Sequence, residues 1–215
     1  MQLVIPDYGQ HVLFIGSTGC GKSSLAEAML QQTSRIFAID TQDSVNVEGT
    51  RIRSPDDLRL NFMNHYDRLH YVPDPEYLTR NHWDNLFRRL LLSSTKRKKN
   101  KRIVYVDEIF HVGFGPSFPS WVSKSVTTAR QRGLSYWISA QRPKNIPQEI
   151  LSEASLIYVF YLTKFDDMKY LSGFARDDNA ELLTALKHQK KDYSFLCIDN
   201  HNGTWQKYNK LGGIL

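Results

Sequence analysis

The sequence predicts an α/β domain: a central, mostly parallel sheet flanked by helices, closed by a C-terminal β-hairpin. Three observations carry this. Short apolar, β-branched runs alternate with stretches of helical period, the pattern of a parallel sheet covered by helices. The first run, His11–Ile15, opens directly onto the glycine-rich turn Gly16-Ser-Thr-Gly-Cys-Gly-Lys-Ser23. A later run, Ile103–Val106, ends in the carboxylate pair Asp107-Glu108. The 215 residues suffice for one domain with a full core, so the span 1–215 is read as a single unit.

Taken in order, His11–Ile15 is the first strand and Lys22 to about Gln32 the first helix, with Leu25, Ala28, Met29 and Leu30 on its apolar side. Arg35–Ile39 is the second strand and ends at Asp40; Leu69–Val72 is the third, stopped by Pro73 and Pro75. Trp83, Leu86, Phe87, Leu90 and Leu91 place a helix near Glu76 to Leu92. After the fourth strand, Ile103–Val106, a Gly, Pro and aromatic loop (Gly113 to Pro119) leads to a helix from Pro119 to Arg132. Leu134–Ser139 and Leu156–Leu162 are the fifth and sixth strands, and Lys164 to Lys191 reads as helical. Tyr193–Ile198 and Thr204–Tyr208, joined around Asn202-Gly203, form the hairpin.

The longest apolar run, Ala154 to Leu162, is too short to cross a bilayer, so no membrane insertion is expected. The N-terminal residues have neither a basic region nor an apolar core, so no signal peptide is expected either. Cys20 and Cys197 make no disulfide framework, which agrees with a reducing compartment. A formal charge of +6 favours a polyanionic partner.

The turn Gly16–Ser23 matches G-x-x-x-x-G-K-[ST] in full. Phosphates crowd against such a loop, so glycines are needed where the backbone must come close with its N–H groups turned inward. The nucleotide contacts are therefore assigned to Gly16, Ser17, Thr18, Gly19, Cys20, Gly21, Lys22, Ser23 and Ser24. Lys22 neutralises the β- and γ-phosphates of ATP, Ser23 gives a hydroxyl to Mg²⁺, and the helix N-terminus adds its dipole. A chance match in a chain this long has a probability of roughly 1%, and the required strand before and helix after are both present.

Carboxylates at the carboxyl end of a strand lie where open α/β sheets bind ligands. Asp107 is expected to hold Mg²⁺ and Glu108 to orient and polarise the attacking water. Gln141 follows the next strand and is assigned as a γ-phosphate sensor. Arg130 and Arg132 close the preceding helix; either caps its C-terminus as a cation or serves as an arginine finger in a neighbour's site, and Arg130 is taken as the finger.

Ser139-Ala-Gln-Arg-Pro143, after Ala129-Arg-Gln-Arg-Gly133, resembles the T-Q-R-P segment of the FtsK–HerA superfamily of DNA-pumping ATPases, with Ala140 where that family carries Thr. The order of phosphate loop, Asp40-ended strand, Asp107-Glu108, arginine-bearing helix and Gln141 matches as well, from about Val12 to Ile198. The short chain is most similar to genome-packaging ATPases of tailless double-jelly-roll viruses. The resemblance implies a RecA-like P-loop NTPase that uses ATP and Mg²⁺, assembles as a pentameric or hexameric ring, and threads double-stranded DNA without regard to sequence. It further implies an arginine acting in trans, a capsid vertex protein as partner, and a place in the host cytoplasm or the virion. A cellular or plasmid-borne FtsK–HerA enzyme, and an ATP-dependent assembly switch that moves nothing, stay open as alternatives.

Two further segments are singled out. Lys96–Arg102 places six basic residues in seven, either a solvated loop or a sequence-independent contact with a phosphate backbone. Gly113–Trp121 is either a pore loop or a loop packed down by its aromatics. His11 and His111 show no metal-ligand spacing and are read as structural.

Overall fold

The computed structural model describes residues 6, 8–58, 65–94, 101–113, 118–176 and 178–209. Among these, nine strands form one sheet: β1 (His11–Ile15), β2 (Ile36–Asp40), β3 (Thr50–Ile52), β4 (Arg68–Tyr71), β5 (Arg102–Asp107), β6 (Leu134–Ala140), β7 (Ala154–Val159), β8 (Phe195–Asp199) and β9 (Thr204–Tyr208). Their spatial order is β3-β4-β2-β5-β6-β1-β7-β8-β9. β3 through β7 in that order are parallel, and β8 and β9 add antiparallel at one edge. The α/β class and the terminal hairpin are as the sequence predicts.

The helices divide unequally. α1 (Lys22–Gln31) packs on one face, where Val12, Phe14, Ile36, Ala38, Ile103, Tyr105 and Trp137 meet Leu25, Ala26 and Met29. The other face carries α2 (Arg80–Ser93), α3 (Ser120–Ala129), α4 (Gln148–Glu153), α5 (Phe165–Ser172) and α6 (Asn179–Lys187), packed on Leu13, Ile15, Phe37, Ile39, Val104 and Val106. Successive residues of a strand point to opposite faces. The central strands β1, β2, β5 and β6 are therefore buried at every position, as strands covered on both sides must be. Each fully buried Leu, Ile or Phe stabilises this arrangement by about 1.5–3 kcal/mol relative to exposure.

The structure adds two elements the sequence did not suggest. β3 is three residues long, too short for a period, and exists because it pairs with the edge of β4. α4 has only six residues and forms because Ile150 and Leu151 seat in the core. The helical stretch after Lys164 is two helices, broken between Ser172 and Asn179. The helix placed over 119–132 gives way at Arg130 to a tighter turn, stopped by Gly133 at φ 74°. In the hairpin, Gly203 sits at φ 68° and a Cβ there would lie 2.5 Å from Arg176 Cγ, so only glycine closes this turn without displacement.

Of the basic run Lys96–Arg102, residues 96–100 lie outside the described residues. Arg102 is buried at the start of β5 and donates to the Tyr66 carbonyl at 2.7 Å, so it is a packing residue and not part of a solvent-facing patch. Residues 114–117 of the aromatic loop are likewise outside the described residues, while Phe118 and Trp121 pack against the core. His11 is structural: its Nδ1 accepts the Tyr136 backbone N–H at 2.9 Å, which leaves the proton on Nε2 to donate to the Val126 carbonyl at 3.1 Å. No helix among the described residues is long and apolar enough to cross a membrane.

Candidate functional site

β1 delivers the chain to Gly16 in the middle of the sheet, and both neighbouring strands hold the turn that follows. Gly16 N–H donates to the Ala140 carbonyl at the end of β6 (3.1 Å), and Ser17 N–H to the Tyr161 carbonyl just past β7 (2.9 Å). A Cβ on Gly16 would lie 2.6 Å from Phe160 Cβ and 3.1 Å from Cys20 Sγ, so the loop passes too close for any side chain. Cys20 is buried and donates its S–H to the Ser17 carbonyl at 2.7 Å. Burial raises its thiol pKa more than the Lys22 charge lowers it, which marks a packing residue and not a nucleophile.

Gly21, at φ 105°, turns the loop into α1. This helix start has no side-chain cap and no acidic residue in its first turn, whereas α2 is capped by Thr79, whose hydroxyl accepts from His82 N–H at 3.2 Å. The first backbone bond of α1 is Leu25 N–H to the Gly21 carbonyl at 3.0 Å. The N–H groups ahead of it therefore lack intrahelical partners and present the positive end of the helix to the loop. Lys22 folds back over the turn, donating from Nζ to the carbonyls of Gly16 (2.8 Å) and Ser17 (3.1 Å). Bare N–H groups, a cation and a glycine cradle together suit a polyphosphate.

β5 brings Asp107 and Glu108 to the same edge. Asp107 is paired in register with Asp40 at the end of β2. Its Oδ1 accepts from the Tyr105 hydroxyl at 2.8 Å and its Oδ2 from Ser44 at 3.3 Å. Burial, and then the charge of Asp40, hold its pKa above the ordinary carboxylate value despite Tyr105, Ser44 and Lys22. Asp40 differs: burial alone would raise it, but His70 and the N–H groups of Val45, Ser44 and Gln42 outweigh that and hold it low. Asp40 is thus satisfied as the knot of the loop after β2.

Glu108 follows the strand in a left-handed conformation, φ 51° and ψ 80°, one of three such non-glycine residues among those described. Conformations of this kind cost of order 1–3 kcal/mol and gather at functional sites. The side chain is 7% exposed, and its Oε1 has no hydrogen-bond partner. Burial raises its pKa; the Gln141 backbone N–H and the charges of Lys22 and His111 lower it by less. A buried, unpartnered carboxylate oxygen beside a phosphate cradle has room for one donor, such as a water.

The residues present fit a magnesium ion. Ser23 opens α1 beside Lys22, and Glu27 lies one helical turn further on, with a pKa raised by burial and by the nearby charges of Asp107 and Asp40. The negative charge gathered here by Glu27, Asp40, Asp107 and Glu108 exceeds what Lys22 supplies.

The structure brings Lys22, Ser23, Ser24, Asp107, Glu108 and Gln141 to one edge, Gln141 exposed directly after β6 with its N–H on Glu108. Arg142 beside it grips the buried Asp167 of α5 with two bonds, 2.8 and 3.1 Å. Arg130 is not brought to this edge. It precedes β6, at the opposite end of the parallel strands, where its guanidinium bonds the Glu153 carbonyl and Ser155. Arg132 is exposed beside it.

Tyr105, Ser44 and Glu27 are site neighbours not singled out from the sequence; His111, read as structural, hydrogen-bonds Thr41 at 3.0 Å. Tyr105 was legible: it stands two residues before Asp107 and shares its face. Ser44 carried no signal, because a loop fold brings it back to β5.

Fold and site define a P-loop nucleotide-binding α/β protein. No family model and no curated protein matches the sequence. Solved structures do. The genome packaging NTPase B204 of Sulfolobus turreted icosahedral virus 2, in complex with AMPPCP, superposes with a TM-score of 0.74 at 17% identity over 95% of this chain and 99% of that one. Its complex with ATP-γS gives 0.73 at 19% identity, over 96% of this chain and 100% of that one. The cytoplasmic domain of the Thermomonospora curvata type VII secretion ATPase EccC gives 0.60 at 17% identity, with 96% of this chain covering 24% of that one. The fold is the one the resemblance implied.

Proposed function

We propose that this chain is an Mg²⁺-dependent ATPase that works on double-stranded DNA as the motor of viral genome packaging. The observation that carries the enzymatic part is Glu108 Oε1, buried and unpartnered at the edge where the phosphate loop and Asp107 converge. Lys22 and the N–H groups at the start of α1 bind and orient the polyphosphate, so that the in-line geometry is set before reaction. Ser23 and Asp107 would hold magnesium, which would supply charge neutralisation at the phosphates. Glu108 orients the attacking water and takes its proton, and its raised pKa brings it nearer the working pH of a base. Gln141, bonded to Glu108 through its backbone, reports the γ-phosphate to α5 through the neighbouring Arg142–Asp167 pair.

The DNA part rests on the basic balance of the chain, on the resemblance, and on the exposed Arg80, Arg88, Arg89 and Lys124 along α2 and α3. A ring of five or six such subunits, docked on a capsid vertex protein in the host cytoplasm or virion, follows from the resemblance alone. The test is direct. Purified protein should hydrolyse ATP only with Mg²⁺, faster with duplex DNA of any sequence, and Lys22→Ala should abolish turnover. DNA affinity should fall steeply with salt. Turnover indifferent to DNA would leave an ATPase that is not a translocase.

A further inference from the structure

The loop between α6 and β8 lies over the phosphate turn, and no motif in the sequence marks it. Gln189, 5% exposed, fastens this loop: its Nε2 donates to the Val159 carbonyl at the end of β7 (3.0 Å) and to the Ser194 carbonyl (3.2 Å). The same strand end anchors Ser17, so the two loops share one support. Tyr193 stands at φ 66°, a left-handed conformation that a tyrosine adopts only when its surroundings hold it there. Its ring is the nearest group to the open side of Gly21: a Cβ on that glycine would lie 3.0 Å from Tyr193 Cδ1. Even so, Tyr193 is 52% exposed, among the largest apolar exposures of the described residues. Lys191 reaches the other glycine, its Nζ 3.8 Å from where a Gly19 Cβ would be, and its charge is felt at Cys20.

An exposed aromatic ring at the helix end of a phosphate cradle, beside a second cation, matches the two halves of a nucleotide. We infer that Tyr193 is the stacking platform for the nucleobase and Lys191 an additional contact to the polyphosphate. This rests on the reading of Gly16–Ser24 as the ATP site. Tyr193 borders Gly21, where α1 begins, and Lys191 borders Gly19, so the two side chains flank the phosphate cradle together. The ring face accepts any base, because stacking needs a π-surface and no particular pattern of donors. Lys191, exposed and on a flexible stem, adds charge without fixing geometry.

The experiment separates base from phosphate. Binding of AMPPCP and of inorganic tripolyphosphate, each with Mg²⁺, is measured by calorimetry for the wild type, Tyr193→Ala, Tyr193→Phe and Lys191→Ala. Tyr193→Ala should weaken AMPPCP about tenfold, the factor one lost base stack carries, and leave tripolyphosphate unchanged. Tyr193→Phe should match the wild type for both. Lys191→Ala should weaken both ligands by a common, salt-sensitive factor. Unchanged or tighter AMPPCP binding in Tyr193→Ala would overturn the inference, the tighter case meaning that the ring merely covers Gly21. A wild type that binds neither ligand would instead overturn the ATP-site reading. Because Tyr193 and Lys191 are exposed, unchanged thermal unfolding of the variants serves as the control.

Discussion

Substitution of Glu108 separates two properties that meet in one residue: a carboxylate proposed as the catalytic base and a backbone held where side chains are disfavoured. At φ 51° and ψ 80° a residue with a Cβ bears a cost of about 1–2 kcal/mol. Glycine avoids that cost but has a looser unfolded chain, a disadvantage of about 0.5–1 kcal/mol against alanine. The difference favours Glu108→Gly over Glu108→Ala by roughly 0.7 kcal/mol, or about 2 °C in Tm for a chain of this size. Everywhere in a regular helix or strand the order is the reverse. Both variants lose the carboxylate and should lose turnover by about 10² to 10⁴ while still binding Mg²⁺-ATP. The assays are thermal unfolding of the ligand-free protein and steady-state hydrolysis, side by side. If alanine is the more stable variant, the left-handed turn is not there; if either variant hydrolyses ATP at the wild-type rate, Glu108 is not the base.

Asp107→Asn keeps an oxygen for the Tyr105 hydroxyl, so the fold should survive, while the Mg²⁺ concentration needed for ATP binding rises; unchanged Mg²⁺ dependence would remove Asp107 from the metal site. His11 has its pKa lowered from 6.5 to about 4, first by burial and then by the Arg130 charge. The unfolded chain therefore takes up a proton that the folded one refuses, and stability should fall by about 3 kcal/mol as pH drops from 6.5 to 4. His82, lowered to about 4 chiefly by burial, adds to the same slope; in His11→Asn the fall of stability with pH across this range, measured by denaturant unfolding at each pH, should be less steep, and an unchanged slope would refute the assignment. Arg130→Ala and Lys22→Ala, each inactive alone, should regain partial activity when mixed if Arg130 completes a neighbour's site; no rescue would leave Arg130 as the cis tie to Glu153 and Ser155 seen here.

The phosphate loop, the acidic pair and the parallel α/β class were legible because each is written in contiguous residues. Gly16–Ser23 is a local turn whose glycines are needed for their own φ and close approach, and Asp107-Glu108 follow a strand that any reading of period and apolarity finds. Their meeting at one edge also follows from sequence, since parallel strands put all their carboxyl ends together. The edge pairing of β3, the seat of α4 and the burial of Arg102 depended on neighbours far along the chain, for which three to six residues hold no pattern. The same is true of the site's outer parts. Ser44 meets Asp107 across 63 positions, and the loop of Lys191 and Tyr193 reaches glycines about 170 residues earlier, because β8 adds antiparallel beside β7 and β7 lies beside β1. Arg130 is separated from the phosphate-loop edge for the same reason: it lies just before a strand whose other end carries Gln141. Local sequence determined the chemistry available at the site. Strand order, a long-range outcome of burying both faces of the sheet, decided which residues that chemistry meets.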